Sequence, residues 1–136
     1  MPRSFDLTVV APDRQVYAGR VQSLVAPGVE GFFGVLAGHA PLVAELTVGE
    51  LKVVDEQGAK RLFAVAGGFL EVTYDGVSVV ADAAEEAGDI DVARAQAAEK
   101  RARERLSAQD LDVDHDRATA ALSRSLNRLR VASGPR

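Results

Sequence analysis

The chain contains no cysteine and no tryptophan, and aromatics make up only 5% of its 136 residues. Without cysteine there is no disulfide framework, no thiolate zinc site and no thiol nucleophile, and nothing calls for an oxidising compartment. So few aromatics leave Val, Leu and Ala to build the core. No apolar run approaches the roughly 20 residues that cross a bilayer as a helix. The first residues, Met1-Pro2-Arg3-Ser4-Phe5-Asp6, lack the apolar stretch of a secretory signal, so the expected compartment is the cytoplasm. Phosphate-loop, G-x-S-x-G, H-E-x-x-H and dinucleotide fingerprints are missing. His39 lies between Gly38 and Ala40-Pro41 with no carboxylate or nucleophile near it in sequence, which suits a turn or interface better than catalysis. His115 stands among Asp112, Asp114 and Asp116; a metal site is conceivable, but a solvated helix start with acidic first-turn residues accounts for the cluster.

What is present divides in two. Hydrophobic residues make up 47% of the chain, enough for one packed domain of ordinary size or a small domain with an appendage. Residues 1–84 carry 6 basic and 10 acidic side chains, whereas residues 85–136 carry 10 of each. An acidic front part argues against general nucleic-acid binding. Up to residue 84 the pattern is all-β, with apolar runs at Phe5–Val10, Val21–Ala26, Leu42–Leu46, Leu51–Val54, Leu62–Ala66, Phe69–Tyr74 and Val77–Ala81. Turn signals fall at Pro12-Asp13, Pro27-Gly28, Ala37-Gly38, Gln57-Gly58, Gly67-Gly68 and Asp75-Gly76. Asp75-Gly76 reads as a two-residue hairpin, and Glu56-Gln57-Gly58 joins a second.

After an acidic joint at Ala83–Gly88, the period becomes helical. One helix is predicted over Asp91–Gln109, with Ala95, Ala98, Ala102 and Leu106 as its apolar stripe. After a break at Asp110–Asp114, a second is predicted over Asp114–Ala132, with Ala118, Leu122, Leu126 and Leu129 as its stripe and Ser133-Gly134-Pro135 as its stop. The expected architecture is therefore β followed by α. Residues 1–84 form a β-sandwich or flattened antiparallel barrel, and residues 85–136 form an antiparallel two-helix hairpin. The stripes are mostly alanine, so the hairpin is expected to detach more easily than the β domain unfolds.

The helices carry one arginine pattern twice. Arg94, Arg101 and Arg105 share their offsets with Arg117, Arg124 and Arg128. At 100° per residue each set returns to within about 20° of one line. Such lines can be plain solvated faces, with Glu99 and Glu104 pairing with Arg103 and Lys100. Antiparallel packing, however, sets Arg94 opposite Arg128 with Arg124 one turn away. An anion between them converts repulsion into charge-assisted hydrogen bonds. Asp91 could accept from a base amino group, or cap the helix N-terminus.

At these residues the chain resembles a known family. Ile90-Asp91-Val92-Ala93-Arg94-Ala95 is similar to the I/L-D-x-x-R-A motif of the epsilon subunits of bacterial F-type ATP synthases. Val10-Ala11-Pro12-Asp13, Gly34-Val35-Leu36-Ala37-Gly38-His39-Ala40-Pro41-Leu42 and Ala66-Gly67-Gly68-Phe69-Leu70-Glu71-Val72 resemble further family segments in the same order. The resemblance spans essentially the whole chain. It departs at Ala37, where proline is common, and at Phe32 and Phe33, where Glu-Leu is usual.

The resemblance implies a non-catalytic rotor subunit of the central stalk, peripheral to the cytoplasmic face of the cell membrane. Its β domain would dock on the gamma subunit and the membrane c-ring, coupling rotation to ATP synthesis. It implies a hairpin alternating between a folded-down and an extended state, the latter inhibiting ATP hydrolysis as Arg117, Arg124 and Arg128 meet an acidic segment of the catalytic beta subunit. It also implies ATP as a regulatory ligand rather than a required cofactor. Glu85, Ile90, Asp91 and Ala95 would surround the adenine, and Arg94, Arg101, Arg124 and Arg128 would reach ribose and phosphates. Two other readings stand beside it: a stand-alone ATP-sensing binding module, and a small β-domain enzyme that would need a titratable cluster.

Overall fold

The computed structural model describes residues 3–109 and 112–134. Seven strands come first: β1 (Phe5–Ala11), β2 (Arg14–Gly28), β3 (Gly31–Leu36), β4 (Leu42–Asp55), β5 (Lys60–Thr73), β6 (Gly76–Ala81) and β7 (Ala84–Glu86). A single 3-10 turn, Ala87–Asp89, leads to α1 (Val92–Ser107) and α2 (His115–Ala132). Of the predicted helix break and stop, positions 110 and 111 and Pro135 lie outside the described residues.

The strands close on themselves. The order β1-β6-β5-β4-β2 is completed by β1–β2 pairing, with β3 added to β2 and β7 to β5. β1 and β6 run parallel; the other pairs are antiparallel. The result is the expected β-sandwich or flattened barrel followed by a helical hairpin, with that one parallel contact as an addition. Alternation explains the packing: β6 buries Val77, Val79 and Ala81 and exposes Ser78 and Val80. The core they join includes Leu7, Val9, Val21, Leu24, Leu51, Phe63 and Leu70.

Several local expectations change. Leu42–Leu46 and Leu51–Val54 are two parts of one strand, as are Leu62–Ala66 and Phe69–Tyr74 up to Thr73, where β5 ends. Gly67-Gly68 is no turn. Both residues have positive φ, 77° and 109°, so β5 bends without stopping, its first half pairing β7 and its second half β6. A Cβ on Gly68 would sit 2.1 Å from Val80 O, so only glycine fits that bend. Pro27-Gly28 belongs to the end of β2, and the glycine-rich stretch after it contains β3. Phe33 packs against the core while Phe32 is 69% exposed. In the β5–β6 hairpin Thr73 pairs with Gly76, so the two turn residues are Tyr74-Asp75, one position earlier than expected. The acidic joint is partly a strand: β7 pairs Glu85 with Ala64 and Glu86 with Phe63.

The helices begin where aspartates cap them. Asp91 and Asp114 each accept, through Oδ1, the backbone N–H three residues on, both at 3.0 Å. α2 lies on β4, β5 and the 3-10 turn, and α1 packs chiefly on α2. Of the predicted stripes, Ala95, Ala102 and Ala118 are buried, but Ala98, Leu106, Leu122, Leu126 and Leu129 are only half-buried. The buried residues of α2 toward its C-terminus are Ser125, Asn127 and Val131. A helix packed on both a partner helix and a sheet has two contact lines, and the second is more polar because it meets backbone carbonyls.

Candidate functional site

A cleft of about 500 Å³ opens where α1 and α2 face the β5–β7 edge of the sheet. One side is Ala64, Val65 and Ala66 of β5, with Ala83 and Ala84 before and within β7. Ala98, Ala102 and Ala121 from the helices add further small side chains. The volume exists because these positions carry little more than a Cβ. Around it stand five arginines: Arg94, Arg101 and Arg105 from α1, Arg124 and Arg128 from α2. The helical period thus brings the ridge of α1 against two of the three arginines of α2. Arg117, at the far end of α2, is exposed and does not line the cleft.

One carboxylate faces this cationic group. Glu85 accepts from Arg128 in a two-pronged pair, Nε to Oε1 at 2.6 Å and Nη2 to Oε2 at 3.2 Å. Both side chains are about three-quarters buried, with 24% and 28% exposure, so this contact is screened less than a surface pair. The other four arginines are exposed. The cleft is thus a cationic surface with one internal anion, and its unneutralised guanidiniums present planar forks to an incoming phosphate or carboxylate.

The next residue points the other way. Glu86 accepts from Arg61 at 2.9 Å, and Arg61 also donates to Asp55 at 3.2 Å while lying 5.3 Å from the Tyr17 ring centre. Backbone N–H donation from Ala59, with help from Arg61 and the Gln57 N–H, holds the Asp55 carboxyl below the usual carboxylate range. Burial pushes the Tyr17 hydroxyl above its ordinary value. Arg14 also donates to Ala84 O at 3.4 Å.

The sequence-predicted residues are therefore divided. Glu85, Arg94, Arg101, Arg124 and Arg128 meet at the cleft; Ile90, Asp91 and Ala95 do not line it. Ile90 packs with Leu62, Ala64 and Val131 in a small apolar cluster joining hairpin to sheet. Asp91 caps α1, and Ala95 is fully buried. Sequence reasoning missed Asn127 as a lining residue, and it placed Arg105 on a ridge without assigning it to the cleft; the shared offset of Arg105 with Arg128 was the available signal. His39 has Nδ1 2.6 Å from Ala40 O at an exposed turn, and His115 is the exposed first residue of α2. Among the described residues no group of three or more His, Asp or Glu side chains is placed to hold a metal ion. No helix among them is long and apolar enough to cross a membrane.

Fold and site together define a two-part protein: a β-sandwich carrying a helical hairpin over a cationic cleft. Residues 4–87 match the family model for the β-sandwich domain of the ATP synthase delta/epsilon chain, and residues 89–133 match that for its long α-helix domain. The ATP synthase epsilon chain of Syntrophomonas wolfei is 42% identical over 132 residues, covering 97% of this chain and 96% of that one. That of Syntrophobacter fumaroxidans is 46% identical over 132 residues, covering 97% and 98%. A chain in the Euglena gracilis mitochondrial ATP synthase structure, described as OSCP/F1/c-ring, aligns with TM-score 0.80 and 29% identity, covering 98% of this chain and 84% of that one. The chain belongs to the ATP synthase delta/epsilon chain family.

Proposed function

We propose that this chain is the epsilon subunit of the central stalk of a proton-translocating F-type ATP synthase, and that its cleft binds ATP as a regulatory ligand. Full-length similarity to epsilon chains supports the first part. The observation that carries the second is the gathering of Arg94, Arg101, Arg124 and Arg128 with Glu85 around one ligand-sized space. In this reading residues 1–84 dock on the gamma subunit and the membrane c-ring, at the cytoplasmic face of the cell membrane. Residues 85–136 regulate, and the subunit itself is non-catalytic.

Within the cleft the arginines take ribose and phosphates. Glu85, Ile90, Asp91 and Ala95 surround the adenine, and because the last three do not line the cleft as it stands, adenine entry moves the start of α1. The second oxygen of Asp91, beyond the one that caps the helix, accepts from the base amino group. A phosphate near Arg128 competes with Glu85 for the same guanidinium. In the extended state Arg117, Arg124 and Arg128 meet the acidic segment of the catalytic beta subunit and inhibit ATP hydrolysis. Arg124 and Arg128 serve both states, so bound ATP and the inhibitory contact exclude each other. Ligand binding to the docked hairpin alone stabilises it by RT ln(1 + [L]/Kd), about 2.7 kcal/mol at a hundredfold excess over Kd.

Titration calorimetry of the intact chain with ATP tests the cleft. Saturable binding is expected for the wild type, with Arg124→Ala weakening it at least tenfold through loss of a charge-assisted contact of ~1.5–3 kcal/mol. No binding at millimolar ATP removes the ligand. Co-purification with the gamma subunit in the absence of ATP tests the subunit role; failure there with retained ATP affinity favours a stand-alone ATP-sensing module.

A further inference from the structure

Asn127 is only 3% exposed, and its side-chain amide crosses from α2 to the β domain. Nδ2 donates to Gly49 O at 2.9 Å and to Val65 O at 3.4 Å. Both partners are carbonyls and only accept, so the orientation of the amide is set by chemistry. Oδ1 is buried with no partner among the described residues. An apolar side chain would avoid that empty acceptor. Its presence argues that the donor is what the position selects.

The acceptors occupy a distinctive place. Gly49 and Val65 are direct partners across β4 and β5. The β2–β4 ladder breaks between the pairs Val25–Lys52 and Gly28–Leu46, and Gly49 falls inside that gap. Pro27 of β2 fills it so closely that a Cβ on Gly49 would lie 2.5 Å from Pro27 Cβ. Asn127 therefore sets its donor against the facing carbonyls of one β4–β5 pair, at the point where β4 leaves its regular ladder with β2. It also stands one residue before Arg128 and three after Arg124. A turn of α2 by one residue would swing both guanidiniums through 100°.

We propose that Asn127 is a positioning residue: a hydrogen-bonded peg that sets the rotation and height of α2 on β4 and β5 and thereby presents Arg124 and Arg128 to the cleft. The docking role stands by itself; the consequence for ligand affinity rests on the ATP-binding reading above.

Hydrogen exchange on the intact chain without nucleotide tests the docking role. Asn127→Leu keeps the branching and the number of heavy atoms, is somewhat larger, and removes the donor. Amides of residues 115–132 should then exchange about tenfold faster, with β-core amides unchanged. Leucine is the better helix former and the more apolar residue, so a role in helix stability or burial alone moves exchange the opposite way. Asn127→Asp is the second variant, and it regains a donor only when its carboxyl is protonated. At pH 7.5 that carboxyl is ionised and offers no donor at nearly the size of asparagine, so amides of residues 115–132 should again exchange faster than in wild type. Wild-type exchange in either Asn127→Leu or Asn127→Asp overturns the proposal. ATP calorimetry on Asn127→Leu then reads the coupling. About tenfold weaker binding supports it, and unchanged affinity removes the link to the arginines. Absence of ATP binding in the wild type defeats the ligand reading and leaves the exchange result standing.

Discussion

The β domain and the hairpin are held by different means. The β domain closes a ring of strands around Phe63, Leu7, Leu51, Leu70 and several valines at or near zero exposure. The hairpin buries Ala95 and Ala102 from α1, and Ala118, Ser125, Asn127 and Val131 from α2. Its hold on the sheet is a short inventory: the Ile90–Val131 cluster, the Glu85–Arg128 pair and the Asn127 amide. Area stabilises one region and a few directional contacts stabilise the other. The first should fail all at once, the second by degrees.

Three further measurements bear on that contrast. Phe63→Ala should have the largest effect, about 3–5 kcal/mol lost in urea unfolding followed through the β signal. A loss below about 1 kcal/mol would mean that the ring is not the stabilising centre. Asp91→Ala and Asp114→Ala should each cost about 1 kcal/mol of helix stability, seen as faster exchange in α1 or α2. A matching drop in the β-domain midpoint would show that the two regions are one cooperative unit. The smallest effect concerns Asp55. Its folded pKa lies below its unfolded value, so its contribution is fully present above the unfolded carboxylate value of about 4 and is lost as pH falls through the folded value. Stabilities of wild type and Asp55→Asn should therefore differ at neutral pH and converge in acid. Parallel curves would show that the carboxylate is not held by its Ala59, Gln57 and Arg61 donors.

Much of the fold was legible because side-chain periodicity records it. Alternating Val77, Val79 and Ala81 mark a strand, and the repeated arginine offsets mark two helix faces. Asp91 and Asp114 announce helix starts by residue type. The remainder depends on backbone partners that leave little trace. β3 is masked by Gly31 and Gly34, which suit a turn equally well, and Gly67-Gly68 shows how two positive-φ residues bend a strand without ending it. β7 is three residues long and two of them are glutamates, so no apolar alternation reveals it. Asn127 was invisible for a related reason: a carbonyl at Gly49 belongs to every residue type. Ile90 and Ala95 are named by the motif but do not border the cleft as it stands, because packing decides which residues meet open space.

The opposed glutamates of β7 have a mechanical consequence. Were the hairpin to lift as proposed, Glu85 would have to surrender Arg128, whereas Glu86 is fastened to Arg61, which Asp55 also grips. The strand would then remain stitched to β5 while the helices after it departed. The fulcrum of that proposed motion would lie just beyond Glu86, in the Ala87–Asp89 turn, and the arc open to the helices would be set by that anchorage rather than by progressive peeling of the sheet.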